Sequence, residues 1–202
     1  MKTTFKLLSL TYLLALAVSC SEKKQETTES DHAAMEHAST SKAPAEAAAP
    51  AFAVPIEFQK QLSGTFAAYI SLKDAFVATD AAAVNEATAK TQQVLAQMDM
   101  KLLEGAAHND WMTYQAELAG ALQGIQATDD MEKKRTAFKT VSDALYKSIK
   151  AFGLGGATAY YEYCPMAFNN EGAYWLSDND AIRNPYFGDK MLKCGSVEEM
   201  LK

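Results

Sequence analysis

Cysteine is scarce in this chain, with three among 202 residues: Cys20, Cys164 and Cys194. Three thiols build neither a disulfide-rich scaffold nor a four-cysteine zinc site within one chain. Positive charge is scarce too. Lys and Arg number 19 against 25 Asp and Glu, a formal net charge of −6, which excludes an extended nucleic-acid surface. Beyond one stretch near the start there are no long apolar runs, so the chain does not read as a polytopic membrane protein. Missing as well are the Cys-x-x-Cys-His of a c-type haem and the repeated Glu and Glu-x-x-His pairs of a di-iron bundle. The same holds for His-Glu-x-x-His, the Gly-x-Ser-x-Gly elbow and a phosphate-cradling glycine loop, and no enzyme is expected. What remains is a globular composition, 49% apolar and 22% charged, that fits one domain with appendages.

The one apolar run, Leu7 to Val18, follows Lys2 and Lys6 and precedes small residues. This is the order of a secretory signal, too short to span a membrane. Its ending, Ala17-Val18-Ser19-Cys20, resembles a bacterial lipobox with Ala17 where leucine is usual. The resemblance implies a lipoprotein signal peptide over 1–19 and Cys20 as the lipidated first residue, anchored to a membrane of the cell envelope. Ordinary cleavage would instead leave a free thiol in an oxidising compartment. Without Lys2 and Lys6 the mature chain has 17 basic against 25 acidic residues, a net charge of about −8.

Residues 20–54 are rich in Ser, Thr, Glu, Lys, Ala and Pro, with almost no large apolar side chain before Phe52. Such a segment buries too little surface to offset its ordering entropy, so it reads as a disordered tether spanning roughly 30 Å. It holds His32, Met35 and His37. Imidazole and thioether together suit copper, so these residues are either a weak metal relay or incidental polar groups of a linker.

From Ile56 to Phe152 the apolar residues recur at helical spacing in four segments. The first runs from about Ile56 to Ala78, the second from Asp80 as N-cap to near Gly105, and the third opens at Asn109 or Asp110. The fourth begins with Asp129 and Glu132 at capping-box spacing and stops at Gly153-Leu154-Gly155-Gly156. Short connections between four such helices predict a mainly α fold, an antiparallel up-and-down four-helix bundle. The domain is expected over 55–202, with a Cys/Met-bearing cap at 157–202. His108 is expected to be solvated or capping, and Met98, Met100, Met112 and Met131 to be core or boundary residues.

The cap is different in character. Ala157 to Phe168 is aromatic and extended in propensity, Asn169-Asn170-Glu171-Gly172 supplies a turn, and Ala173-Tyr174-Trp175-Leu176 a second strand, which together predict a β-hairpin. An irregular loop follows, then Ser196 and Glu199 at capping-box spacing for a last helix, Val197 to Leu201. Two soft pairs stand out. Cys164 and Met166, at i and i+2, share a face of an extended chain, and Met191 and Cys194, at i and i+3, meet on a turn. Facing one another they would form a Cys2Met2 set that selects Cu(I) or Ag(I) over zinc and hard cations. The same two cysteines can instead form a disulfide, which on the chain-entropy model stabilises by roughly 3.5 kcal/mol. A thiol oxidoreductase lacks its usual Cys-x-x-Cys at a helix start.

The run Tyr163-Cys164-Pro165-Met166-Ala167-Phe168-Asn169-Asn170-Glu171-Gly172-Ala173-Tyr174-Trp175-Leu176, followed by Ile182 to Gly195, resembles the signature of the domain of unknown function 3347 family. The resemblance extends over about residues 57 to 200 and is specific in the last forty. That family occurs in small Gram-negative lipoproteins and joined to the periplasmic adaptors of RND-type copper/silver efflux pumps. The resemblance therefore implies envelope metal handling, with Cys164, Met166, Met191 and Cys194 matching the family pattern. The expected function is Cu(I) or Ag(I) binding in support of efflux or buffering, with no nucleic acid. The alternative is a non-metal interaction module braced by a Cys164–Cys194 disulfide.

Overall fold

The computed structural model describes residues 48–202, together with the backbone of a two-residue strand, β1 (Ala45–Glu46). The expected signal peptide, Cys20, and His32, Met35 and His37 lie outside the described residues. Phe52, assigned to the tether by its sequence, stacks on Phe152 at 5.6 Å, and its N–H bonds the carbonyl of Ala151 at 2.9 Å. The chain is thus tied to the helices before Pro55.

The fold is mainly helical, with four long helices, α1 (Ile56–Ala78), α2 (Ala81–Ala96), α3 (Gly105–Gln126) and α4 (Met131–Phe152). Each packs on the next in sequence, and α1 also touches α4. Their apolar stripes close one core. At one end Phe58, Trp111 and Phe152 meet edge to face at 5.2–6.1 Å, and further along Tyr69 and Phe76 pack on Phe138. Among the described residues no helix is long and apolar enough to cross a membrane.

The helix boundaries follow local chemistry. Asp80 caps α2 by accepting from the N–H groups of Ala82 and Ala83, both at 3.0 Å. For α4 the cap is Asp130, not the expected Asp129: its carboxylate accepts from Glu132 N at 2.9 Å and Lys133 N at 3.3 Å. Asp130→Ala should therefore destabilise the protein by about 1 kcal/mol, read as a lower denaturation midpoint, while Asp129→Ala should have little effect.

The second helix is shorter than expected, ending at Ala96 rather than near Gly105. Gln61 on α1 accepts the Asp99 N–H at 2.7 Å, Asp99 caps a 3-10 turn over Met100–Leu102, and Leu103 is buried. These contacts pull the chain off the helix axis. Gly105, read as a helix stop, has φ +56° and opens α3, four residues ahead of Asn109.

Beyond α4 the chain forms a small three-stranded antiparallel sheet of β2 (Ala159–Cys164), β3 (Ala173–Ser177) and β4 (Ser196–Leu201). Strand β2 lies centrally, with β3 on one side and β4 on the other, and β1 adds in parallel to the outer edge of β4. The expected hairpin is present; the expected last helix is not. Segment 196–201 is a strand because β2 needs a partner on its second edge, and because its side chains are claimed from outside. Glu199 takes the hydroxyl of Tyr146 at 2.7 Å and Lys150 Nζ at 2.6 Å, and Leu201 is buried. Locally, Ser196 Oγ bonds the Glu198 carboxylate at 2.5 Å instead of capping a helix.

Side chains close the free edge of β3. Tyr69 OH accepts the Leu176 N–H at 3.1 Å, and Tyr186 OH donates to the Tyr174 carbonyl. This satisfies edge groups that would otherwise template further pairing. On one face Tyr146, Tyr161, Tyr174 and Tyr163 stack in succession with centroids 3.8, 4.6 and 4.4 Å apart, fastening the sheet to α4. The loop 178–195 is fastened by Arg135, which donates to Pro185 O at 3.1 Å and Thr79 Oγ1 at 3.0 Å and pairs with Glu132 at 2.6 Å.

Candidate functional site

Strand β2 ends at Cys164, whose partner across the hairpin is Ala173. Pro165 then removes a donor from the ladder and turns the chain. Phe168, Asn169 and Asn170 follow with φ of 51°, 57° and 69°. Three successive non-glycine residues in the left-handed region cost roughly 1–2 kcal/mol each, so tertiary contacts must hold them. They are held by Glu171 N to Phe168 O at 3.2 Å, by Gly172 N to Ala167 O at 3.0 Å, and by Phe168 against Tyr186 at 5.2 Å.

The second sulfur pair is carried by the loop 178–195. Cys194 N donates to Met191 O at 3.0 Å, so these two residues bracket a hydrogen-bonded turn, as their spacing predicts. Asn184, fully buried, holds that turn from within: its N–H donates to Leu192 O at 2.9 Å, Nδ2 to Cys194 O at 2.8 Å, and Oδ1 accepts the Tyr186 N–H at 2.8 Å. Gly195 completes the approach. At φ +148° it lets the loop lie on the sheet where a Cβ would come within 2.8 Å of Trp175 and 2.9 Å of Tyr163 O. Asn184→Ala leaves a buried carbonyl and N–H without partners, so it should cost about 2 kcal/mol and speed alkylation of Cys194. Melting and mass-spectrometric labelling read the two effects.

This loop brings Cys194 beside Cys164. The two thiols are near enough for each to influence the other's ionisation, and both are free. Cys164 is completely buried and Cys194 half-buried. Burial, and secondarily the neighbouring Cys164 thiol, push the Cys194 thiol up to about 11, against the Met166 N–H, which favours its thiolate. Met191 is half-buried on the same turn. Met166 departs from expectation. The strand stops at Cys164, and Met166 has φ −90° and ψ −10°, so its side chain does not share the strand face. It is 46% exposed and lines an open groove of about 410 Å³ with Phe168, Asn169, Tyr186 and Phe187 and the start of α4.

Among the described residues no three His, Cys, Asp or Glu cluster closely enough to hold a metal. A metal at the cysteines must draw on thioethers. His108 sits partly buried in the first turn of α3, Met98 is buried, Met100 and Met131 are half-buried, and Met112 is exposed.

Glu162, two residues before Cys164, escaped the sequence reading. It is completely buried and neither carboxyl oxygen has a hydrogen-bond partner. Burial raises its pKa to about 8. Lys73 and the nearby Trp175 indole pull the other way without completing a hydrogen bond, and Asp180 and Asp178 add to the rise. Lys73 is itself buried on α1, 3.1 Å from Asp74 and 3.5 Å from Ser177 Oγ. The available signal was a single carboxylate in the otherwise uncharged, aromatic run Ala-Tyr-Tyr-Glu-Tyr-Cys.

Residues 65–156 match the model of a family described as a protein of unknown function (DUF3347). The match falls on the helical body rather than on the last forty residues, where the sequence resemblance is most specific. No curated protein and no solved structure matches the chain.

Proposed function

The helical body matches the DUF3347 family over residues 65–156, and from that premise we propose that the chain binds Cu(I) or Ag(I) at Cys164, Cys194, Met191 and Met166. The carrying observation is the meeting of two free thiols from segments thirty positions apart, one of them on a turn with a methionine. Thiolate and thioether sulfur together select soft monovalent ions, and each thiol must give up its proton to bind. The protein is proposed as a binder and not an enzyme. Its place is the cell envelope, anchored by lipid on Cys20, where it buffers the metal or supplies it to an RND-type copper/silver efflux adaptor. The tether residues His32, Met35 and His37 serve as a weak relay. In this reading the helices form an antiparallel up-and-down bundle, supported by the packing of each on its sequence neighbour, and act as scaffold for the hairpin-and-loop cap.

The same adjacency favours a second reading, a structural Cys164–Cys194 disulfide bracing a non-metal interaction module. Thiols are counted on protein isolated without reductant, and the reduced protein then competes anaerobically against a chromophoric Cu(I) chelator. Two reactive thiols and tight one-to-one uptake are the expected result. A bridge that resists mild reductant, with no uptake after full reduction, overturns metal binding in favour of the brace.

A further inference from the structure

We infer that Tyr146 is the site of one-electron oxidation in this protein, and that the tyrosines stacked on it carry oxidising equivalents to it. This goes beyond metal or disulfide at the cysteines and depends on neither. The sheet register builds the stack. Tyr161 and Tyr163, at i and i+2 on β2, share a face, and Tyr174 stands opposite Tyr163 on β3. Tyr146 joins them from α4. The rings follow in the order 146, 161, 174, 163 with centroids 3.8, 4.6 and 4.4 Å apart, and the first two contacts lie 15° and 7° from parallel. All four residues are half-buried, so an oxidant in solution meets the stack along its length, and rings in contact exchange an electron without any bond being made.

A phenol radical cation is a strong acid, so a tyrosine loses an electron readily only where its proton can leave too. Tyr146 has a place prepared for that proton. Its hydroxyl donates to Glu199 Oε2 at 2.7 Å, and β4 brings Glu199 there by setting it opposite Tyr161. Lys150 Nζ holds the other carboxylate oxygen, Oε1, at 2.6 Å. The same ammonium lies 5.9 Å from the centre of the Tyr146 ring, where its charge opposes a radical cation and favours the neutral phenoxyl. Burial and the Glu199 carboxylate hold the Tyr146 hydroxyl above its ordinary range, so the reacting species is the phenol.

The step balances as a coupled transfer of one electron and one proton. An outer-sphere one-electron oxidant takes an electron from Tyr146, directly or by way of Tyr163, Tyr174 and Tyr161. The Tyr146 O–H bond breaks and a bond forms from Glu199 Oε2 to the proton. The products are a neutral phenoxyl radical, a carboxylic acid and the reduced oxidant, and a one-electron reductant reverses the step. The far end of the stack is Tyr163, the residue before Cys164, so equivalents that land there are led away from the thiols towards α4.

The test oxidises the full reduced protein with flash-generated tris-bipyridyl ruthenium(III) and reads the radical by freeze-quench electron paramagnetic resonance. Wild type should give one dominant tyrosyl species. Tyr146→Phe keeps the ring and should lower the yield of that species about tenfold. Glu199→Gln still accepts a hydrogen bond but is not basic, and should lower it comparably. Tyr160→Phe, outside the stack, should leave it unchanged. Trapping the wild-type radical with a nitroso spin trap and mapping the adduct by peptide mass spectrometry should place it on Tyr146, a readout that needs no variant to fold. Full yield in Tyr146→Phe, an equal loss in Tyr160→Phe, adducts spread evenly over the tyrosines or lying on the cysteines, or no tyrosyl radical at all overturns the inference. Full yield in Glu199→Gln removes the proton acceptor, and with it the reason for Tyr146.

Discussion

Replacing both Cys164 and Cys194 by serine should lower Cu(I) affinity by at least about a thousandfold, or roughly 4 kcal/mol. A serine hydroxyl is hard and stays protonated, so it replaces neither the softness nor the charge of a thiolate. The remaining Met191 and Met166 supply two neutral thioethers, too few to retain the ion against a competing chelator. Each single variant should lose less, because one thiolate with Met191 still offers a soft pair. Cys194 is half-buried, and serine there is tolerated; at Cys164, completely buried, an unpartnered hydroxyl costs about 1–3 kcal/mol of stability. Melting curves for the two single variants therefore separate lost binding from lost fold. The pH dependence gives an independent check. Because both thiols must ionise, and Cys194 is held up to about 11, wild-type affinity should rise with pH throughout the neutral range. Equal affinity in wild type and double variant would rule out the cysteines as ligands.

Glu162→Gln should make the protein more stable at alkaline pH and leave it nearly unchanged in acid. The folded protein holds this carboxyl's proton up to about pH 8, whereas the unfolded chain releases it near 4.5. Below the lower value both states are protonated and the group contributes nothing. Between the two values only the unfolded state ionises, so stability falls as pH rises, and above about 8 the loss is complete. The raised pKa implies at most about 4–5 kcal/mol between the plateaus. Glutamine stays neutral and nearly isosteric, so its stability should be flat over this window. Urea denaturation of both proteins across pH 4 to 9, at constant m-value, measures the difference. Parallel curves would mean that Lys73 fully neutralises a Glu162 carboxylate in the folded state.

Most of the helical body is legible without coordinates. The stripe through Phe58, Leu62, Phe66 and Tyr69 predicts α1, and Asp80 predicts the start of α2, because a helix is made from neighbours in sequence and its caps are local bonds. Legibility fails where a distant group decides. Ser196 to Leu201 carries a capping-box spacing, yet β2 recruits it as a strand and Tyr146 and Lys150 claim Glu199. Gly105 reads as a stop, yet Gln61 and the buried Leu103 shape the chain before it, so that it opens the next helix.

The site divides along the same line. Cysteine count, acidic balance, missing catalytic motifs and two sulfur pairs follow from residue identity and spacing, and they confine the question to soft metal or disulfide. Only tertiary structure could bring residue 194 to residue 164, because that approach depends on Asn184 inside the loop, Arg135 anchoring it and Gly195 lying flat on Trp175. It also separates Met166 from the face that its spacing implies, since the strand ends at Cys164, two residues short of it. Glu162 is a plain glutamate until the loop and α1 close over it. Spacing governs what a local element can present, whereas burial, thiol proximity and charge state arise from surfaces that meet only when the chain has folded.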